Sequence, residues 1–179
     1  MEERAYWDSV SEKKEFTAPF QAEAFSKYVD KNALVVDVGG GYGRTLDELH
    51  RLGYQHLIGF DFSAEMIRRG HRQFPELVDL RVKGDDTIAL SDNSVDAVIL
   101  FAVLTCIVRN EGQKKLIAEI RRILKPDGIL YVNDFLLNTD ERNITRYKKY
   151  EKQLGVYGAS ELPEGAVPSF GRLDKGTVG

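Results

Sequence analysis

Leu34-Val35-Val36-Asp37-Val38-Gly39-Gly40-Gly41-Tyr42-Gly43 is the stretch on which the fold turns. Its first five residues form a short β-branched run, the pattern of a strand buried on both faces. Glycines follow at once, and Thr45 to Leu52 then reads as a helix with Leu46, Leu49 and Leu52 turned inward and Gly53 ending it. Gly39 and Gly41 suit a loop that a ligand approaches closely and whose backbone takes positive φ, whereas Gly40 merely loosens it. A glycine loop alone is equally well a tight turn between strand and helix. Its neighbours therefore carry the decision.

Downstream the pattern repeats. His56 to Asp61 reads as a second strand, and Ser63 caps the next helix with Glu65 in its first turn. Leu77 to Val82 reads as a third strand and Val95 to Phe101 as a fourth. Asn110 caps an amphipathic helix with Leu116, Ile117, Ile120, Ile123 and Leu124 on one face. Lys125-Pro126-Asp127-Gly128 then turns the chain into a fifth strand, Ile129 to Phe135. Such alternation predicts an α/β fold, a doubly wound, mostly parallel sheet with helices on both faces. Its ligands bind beyond the carboxyl ends of the strands.

Residues 1–32 read as a helical cap, with Phe16, Phe20, Ala24 and Tyr28 at steps of four and a break at Pro19. Residues 33–138 are the expected core. Thr139 to Leu154 reads as a polar helix, and 155–179 is rich in glycine without a recognisable strand. One domain is expected over 1–179, either as a fragment or with a loosely ordered end.

Acidic residues recur at the strand ends. Asp61 closes the second strand roughly 20 residues after the loop, where a carboxylate accepts both hydroxyls of an adenosine ribose. Gly84-Asp85-Asp86 follows the third strand and offers a carboxylate to the adenine amino group. Each acid singly is an ordinary loop residue. Three at the ends of consecutive strands form a pattern.

With these residues the chain resembles the class I S-adenosylmethionine-dependent methyltransferases, in their small-molecule branch. The likeness spans about Ala33 to Phe135. It rests on Val35 to Gly43, on Gly59-Phe60-Asp61-Phe62-Ser63-Ala64-Glu65-Met66 and on Gly84-Asp85-Asp86. Asp92-Asn93-Ser94-Val95-Asp96-Ala97-Val98 and Leu124-Lys125-Pro126-Asp127-Gly128 support it. The resemblance implies that Gly39 and Gly41 lie under the methionine part, that Asp61 holds the ribose, and that Phe62 and Met66 sandwich the adenine. Asp85 then takes the adenine amino group with the backbone of Asp86 beside it, and Phe101, at the end of the fourth strand, joins the cofactor contacts. Many relatives carry a histidine after the fourth strand, where this chain has Thr105-Cys106-Ile107, and the family's last two strands, an antiparallel hairpin, are not recognisable here.

A nicotinamide dehydrogenase is the rival on the same architecture. Its third glycine position falls on Arg44, and Asp37 would face a pyrophosphate of like charge. Beside a sulfonium and an ammonium, Asp37 is well placed. A non-catalytic S-adenosylmethionine-binding module is the other alternative, because a missing hairpin leaves the fifth strand as an open edge.

Methyl transfer needs a general base only when the acceptor must lose a proton. Asp134, in Asn133-Asp134 at the end of the fifth strand, is the candidate base, with Asn138 nearby. Tyr6, with Trp7 on the first helix, is the second catalytic candidate. His50, His56 and His71 fall at unsuitable places, and Cys106 sits in an apolar run.

Composition narrows the partners. Hydrophobic residues are 42%, charged residues 30% and net charge −3, values of an ordinary globular protein without bulk attraction to nucleic acid or anionic membrane. The basic tract Arg142, Arg146, Lys148, Lys149 and Lys152 is interrupted by Glu151 and lacks a stacking platform for RNA. One cysteine excludes an internal disulfide, no apolar run is long enough for a membrane span, and no metal is implied. A cytoplasmic enzyme with a small-molecule acceptor is expected, its oligomeric state open, a homodimer included.

Overall fold

Five strands build the sheet: β1 (Leu34–Val38), β2 (His56–Asp61), β3 (Leu80–Val82), β4 (Val95–Phe101) and β5 (Leu124–Asn133). Their spatial order is β3-β2-β1-β4-β5 in the computed structural model, which describes residues 3–77, 79–84, 87–107, 109–134 and 139–154. β1 pairs in parallel with β2, Asp37 lying opposite Gly59, and in parallel with β4, Asp37 lying opposite Ile99. β2 pairs in parallel with β3, Asp61 opposite Val82. Val35, Val36 and Val38 of β1 are buried, as the continuous apolar run requires.

Six α-helices accompany the strands among the described residues: α1 (Glu3–Val10), α2 (Ala22–Ser26), α3 (Arg44–Arg51), α4 (Ala64–Gln73), α5 (Asn110–Ile123) and α6 (Glu141–Leu154). The residues divide into two compact units. The first, Met1–Phe101 with Leu116–Val132, holds β1 to β4 and all but the last residue of β5. Its core joins Val35, Leu46, Leu49, Ile67 and Ile99 to the aromatics Phe20, Phe25, Tyr54 and Phe74. Ser63 caps α4 by accepting from the Met66 N–H at 3.2 Å. The second unit is Ala102–Lys115 with Asn133–Gly179. It contains the 3₁₀ turn Leu104–Cys106, whose backbone is tied by the Gln113 side-chain amide donating to the carbonyls of Leu104 and Ile107, each at 3.0 Å.

Several local expectations need correction. The first 32 residues are not one interrupted helix: α1 stops at Val10, well before Pro19, and residues 11–21 connect it to the five-residue α2. Phe16 and Phe20 therefore pack from a connecting segment, while Tyr28 is 75% exposed. Leu52 does not turn inward; it lies past the end of α3 as its C-cap, and Gly53 follows with φ +94°. β3 is shorter than expected, since Leu77 is buried in the turn before it. Ile117 is half-exposed on α5 and Leu124 starts β5 rather than ending the helix. The Lys125–Gly128 turn is continuous with β5, where Asp127 takes φ +65°. The polar helix expected at 139–154 is α6. Residues 155–179, Phe135 and Asn138 lie outside the described residues.

Candidate functional site

Parallel strands β1 and β2 end side by side, and the chain turns there through the glycine loop. The N–H groups of Gly39 and Gly40 donate to the Phe60 carbonyl at 2.7 and 3.2 Å, so the loop is sewn onto the end of β2. Gly39, Gly41 and Gly43 all have positive φ, +77°, +58° and +88°, which side chains rarely tolerate. Gly40 does more than loosen the loop. A Cβ on it would come within 2.7 Å of Asp37 Oδ2, so the residue is small because the Asp37 carboxylate lies against it.

Asp61 organises the other side. Its Oδ2 accepts from the Gly41 N–H and its Oδ1 from the Ser63 N–H, both at 2.9 Å. Burial nevertheless pushes its pKa up to about 6, opposed by those N–H groups and aided by the nearby negative charge of Asp8. Asp8 reaches in from α1, accepting from Ser63 Oγ at 2.6 Å.

Asp37 is unlike its neighbour. It is 1% exposed and neither carboxylate oxygen has a hydrogen-bond partner. Burial, with the charge of Asp61 beside it, pushes its pKa up to about 7 against the opposing pull of the Arg44 guanidinium. Buried carboxylates are ordinarily paired, so two orphaned oxygens mark a group prepared for a partner. Arg44, in the first turn of α3, also keeps a buried Nε without a partner. Its Nη2 donates to the Ala18 carbonyl at 2.8 Å and its guanidinium lies 5.9 Å from the centre of the half-buried Phe101 ring. Sequence pattern alone marks Arg44 only as a poor third glycine; an arginine directly after the loop is the signal available for more.

The structure thus gathers Asp37, Gly39, Gly40, Gly41 and Asp61 at one edge, with Phe62 half-buried next to Asp61. Met66, 1% exposed, packs into the hydrophobic core just beyond Asp61 and Phe62. Gly84 is exposed, with open space around its α-carbon. Asp85 and Asp86 lie outside the described residues. Tyr6 is half-buried on α1, edge-on to Trp7 with ring centres 5.5 Å apart. Asp134 lies in the second unit, where its Oδ2 accepts from the Thr105 N–H at 3.2 Å. A surface depression lined by Tyr28, Asp30, Asp96, Lys125 and Asp127 sits at the amino ends of β1 and β4, the opposite edge of the sheet. Among the described residues no group of three His, Cys, Asp or Glu side chains is placed to hold a metal, and no helix is long and apolar enough to cross a membrane.

Residues 36–132 match the profile of the family described as methyltransferase domain. Over 118 residues the chain is 35% identical to a demethylmenaquinone methyltransferase of Renibacterium salmoninarum, covering 65% of this chain and 47% of that protein. Over 155 residues it is 27% identical to a protein-lysine N-methyltransferase of Saccharomyces cerevisiae, covering 75% and 66%. It therefore spans about half the length of the first relative. Among solved structures, an S-adenosylmethionine-dependent methyltransferase of Methanosarcina mazei superimposes with a TM-score of 0.77 at 21% identity, over 87% of this chain and 79% of that one. The chain belongs to the methyltransferase-domain family, and its sheet is that of the S-adenosylmethionine-dependent class I enzymes.

Proposed function

We propose that the protein binds S-adenosylmethionine at the Asp37–Asp61 edge and transfers its methyl group to a small-molecule acceptor. One observation carries the cofactor assignment: Asp37, fully buried, with both oxygens unpartnered and an orphaned Arg44 Nε close enough in charge to lower its pKa. A buried acid without a partner, beside a guanidinium that pairs with Glu48 and Ala18 but leaves its Nε unused, complements the ammonium and carboxylate of an α-amino acid. The methionine end of the cofactor has that chemistry. A dinucleotide pyrophosphate does not, because it would bring two negative charges against Asp37.

In this reading Gly39 and Gly41 let the backbone pass under the methionine chain, and Asp61 accepts a ribose hydroxyl with the lone pairs its own amides leave free. Phe62 and Phe101 give apolar contact, and Gly84 with Asp85 and Asp86 meets the adenine. When bound, the cofactor supplies an electrophilic methyl on a sulfonium. The protein's contribution is to hold that end fixed and dry, and positioning of this kind is worth about 7–11 kcal/mol in favourable intramolecular models. Asp134 is the group proposed to take a proton from the acceptor, and Tyr6 is kept as a second catalytic candidate. The acceptor class follows the demethylmenaquinone relative; the protein-lysine relative makes a lysine side chain the competing acceptor.

Calorimetric titration with S-adenosylhomocysteine, with NADH alongside, tests the cofactor. Micromolar affinity that falls at least tenfold in Asp37→Asn is expected. Equal affinity in that variant, or NADH binding instead, removes the assignment. A turnover screen against small quinols and against lysine peptides then separates the acceptors, and binding without any turnover marks a non-catalytic module. Full activity in Asp134→Asn would exclude Asp134 as base.

A further inference from the structure

Segment 11–16, between α1 and α2, lies on the glycine loop, and a buried arginine holds it there. Arg69, on the inner face of α4, is 8% exposed. Its Nη1 donates to the carbonyls of Ser11 and Lys14 at 2.8 and 2.7 Å, and its Nη2 to Glu15 Oε1 at 2.5 Å. The guanidinium carbon sits 3.8 Å from the centre of the Tyr42 ring, inside the glycine loop. Tyr42 completes the ring of contacts: its hydroxyl donates to Glu15 Oε2 at 3.1 Å and accepts from the Phe16 N–H at 3.5 Å. One arginine thus ends α1's trailing carbonyls, neutralises Glu15 and stacks on the loop.

The outcome of this latch is the position of Phe16. Its ring stacks on Tyr42 with centres 5.3 Å apart and 20° between planes. It also covers Gly41, so that a Cβ there would meet Phe16 Cε2 at 2.6 Å. Trp7 closes over Phe16 with ring centres 6.1 Å apart. Arg72 ties the strap from another side through Glu12, and Arg44 donates to the Ala18 carbonyl just beyond it. Neither Arg69 nor Glu15 belongs to the acidic edge itself.

We infer that Arg69 is a positioning residue for the cofactor: through Glu15 and Tyr42 it holds the 11–16 strap over the glycine loop, and opening this strap sets how fast the cofactor leaves. The inference rests on the cofactor site proposed above. Burying a guanidinium is unfavourable unless every donor is used, and here the donors go to the strap and to Gln73, so the strap and Arg69 order each other. A lysine cannot replace it, since one ammonium cannot bridge two carbonyls and a carboxylate while lying flat on Tyr42.

The experiment uses the full chain and the variants Arg69→Lys and Glu15→Gln. Trp7, the single tryptophan, reports the strap by fluorescence. Stopped-flow displacement of S-adenosylhomocysteine is expected to show dissociation at least tenfold faster in both variants, with association little changed. In Glu15→Gln, whose side chain is largely exposed, the melting temperature should hold within a few degrees. Hydrogen exchange without ligand should speed up at the amides of residues 13–16 and leave those of β1 and β4 unchanged. Unaltered dissociation in either folded variant overturns the inference, as does unaltered exchange in the strap. If the unaltered protein fails to bind S-adenosylhomocysteine, the site reading falls, and the cofactor role of Arg69 with it; exchange still decides whether the latch exists.

Discussion

Ionising Asp37 is unfavourable in the folded chain, because no hydrogen-bond donor reaches either of its oxygens. Its pKa of about 7 stands above the ordinary 3.8, so between those values the folded state holds a proton that the unfolded chain has lost. Stability without ligand therefore falls as pH rises through this window and levels off above it. Asp37→Asn keeps the shape and removes the charge. It should raise the melting temperature of the ligand-free protein at pH 8 by at least about 2–4 °C, the equivalent of roughly 1 kcal/mol at this size, and by less at pH 5. A melting temperature that drops at pH 8 would show that the carboxylate is already satisfied. The same substitution is expected to weaken S-adenosylhomocysteine binding, the signature of a group strained for function rather than for folding. The sequence placed Asp37 at the end of a buried strand, but not its isolation, which depends on how Gly40 and the end of β2 close around it. Met66 shows a complementary gap: its spacing after Asp61 is readable in the sequence, but its packing into the core is not.

At the scale of elements, α5 does work at a distance from its own strand crossover. Glu119 Oε2 accepts from the Ile88 N–H at 2.9 Å, while Arg122 donates to the carbonyls of Ile88 and Leu90, both at 2.8 Å. The pair grips residues 88–90, which follow Asp85 and Asp86 in the sequence. Arg122 holds the Glu119 pKa down to about 2, with help from the Ile88 N–H. This grip is therefore complete above about pH 4.5 and is lost as pH falls towards 2. Arg122→Ala should destabilise the protein through the carbonyls it leaves unpaired, and should speed hydrogen exchange at Ile88 ahead of β4. Equal exchange in variant and parent would show residues 88–90 to be held otherwise. Periodicity made α5 legible, since Leu116, Ile120 and Ile123 are its buried stripe. The same periodicity misled at the amino end, where Phe16 and Phe20 repeat at four because each meets a different aromatic partner, Tyr42 or Phe25 and Tyr131. Side chains that dock from a connecting segment leave no helical signature of their own.

In the sheet as a whole, β1 lies between β2 and β4, so the chain leaves β1 in one direction and later returns on its other side. A crevice forms at such a reversal, at the carboxyl ends of the strands. The alternation of strands and helices alone is enough to place the glycine loop, Asp37 and Asp61 there. It was not enough to place the 11–16 strap, whose contacts bridge 54 to 58 residues of sequence. Concentrating two acids with raised pKa values at this crevice gives stability and ligand affinity opposite responses to pH. The free protein loses stability from pH 4 to 7, as Asp37 and Asp61 are forced to ionise. A bound ammonium favours the ionised Asp37, so affinity for S-adenosylhomocysteine should rise with pH up to about 7, by as much as tenfold per unit. Ligand at one hundred times its dissociation constant adds about 2.7 kcal/mol, and that increment must grow along the same axis. Thermal unfolding at a fixed ligand concentration is expected to show a shift at pH 7.5 larger than at pH 5.5 by several degrees. In Asp37→Asn the two shifts should converge. A pH-independent shift in the parent protein would place the cofactor's ammonium away from Asp37 and return the orphaned carboxylate to a purely structural account.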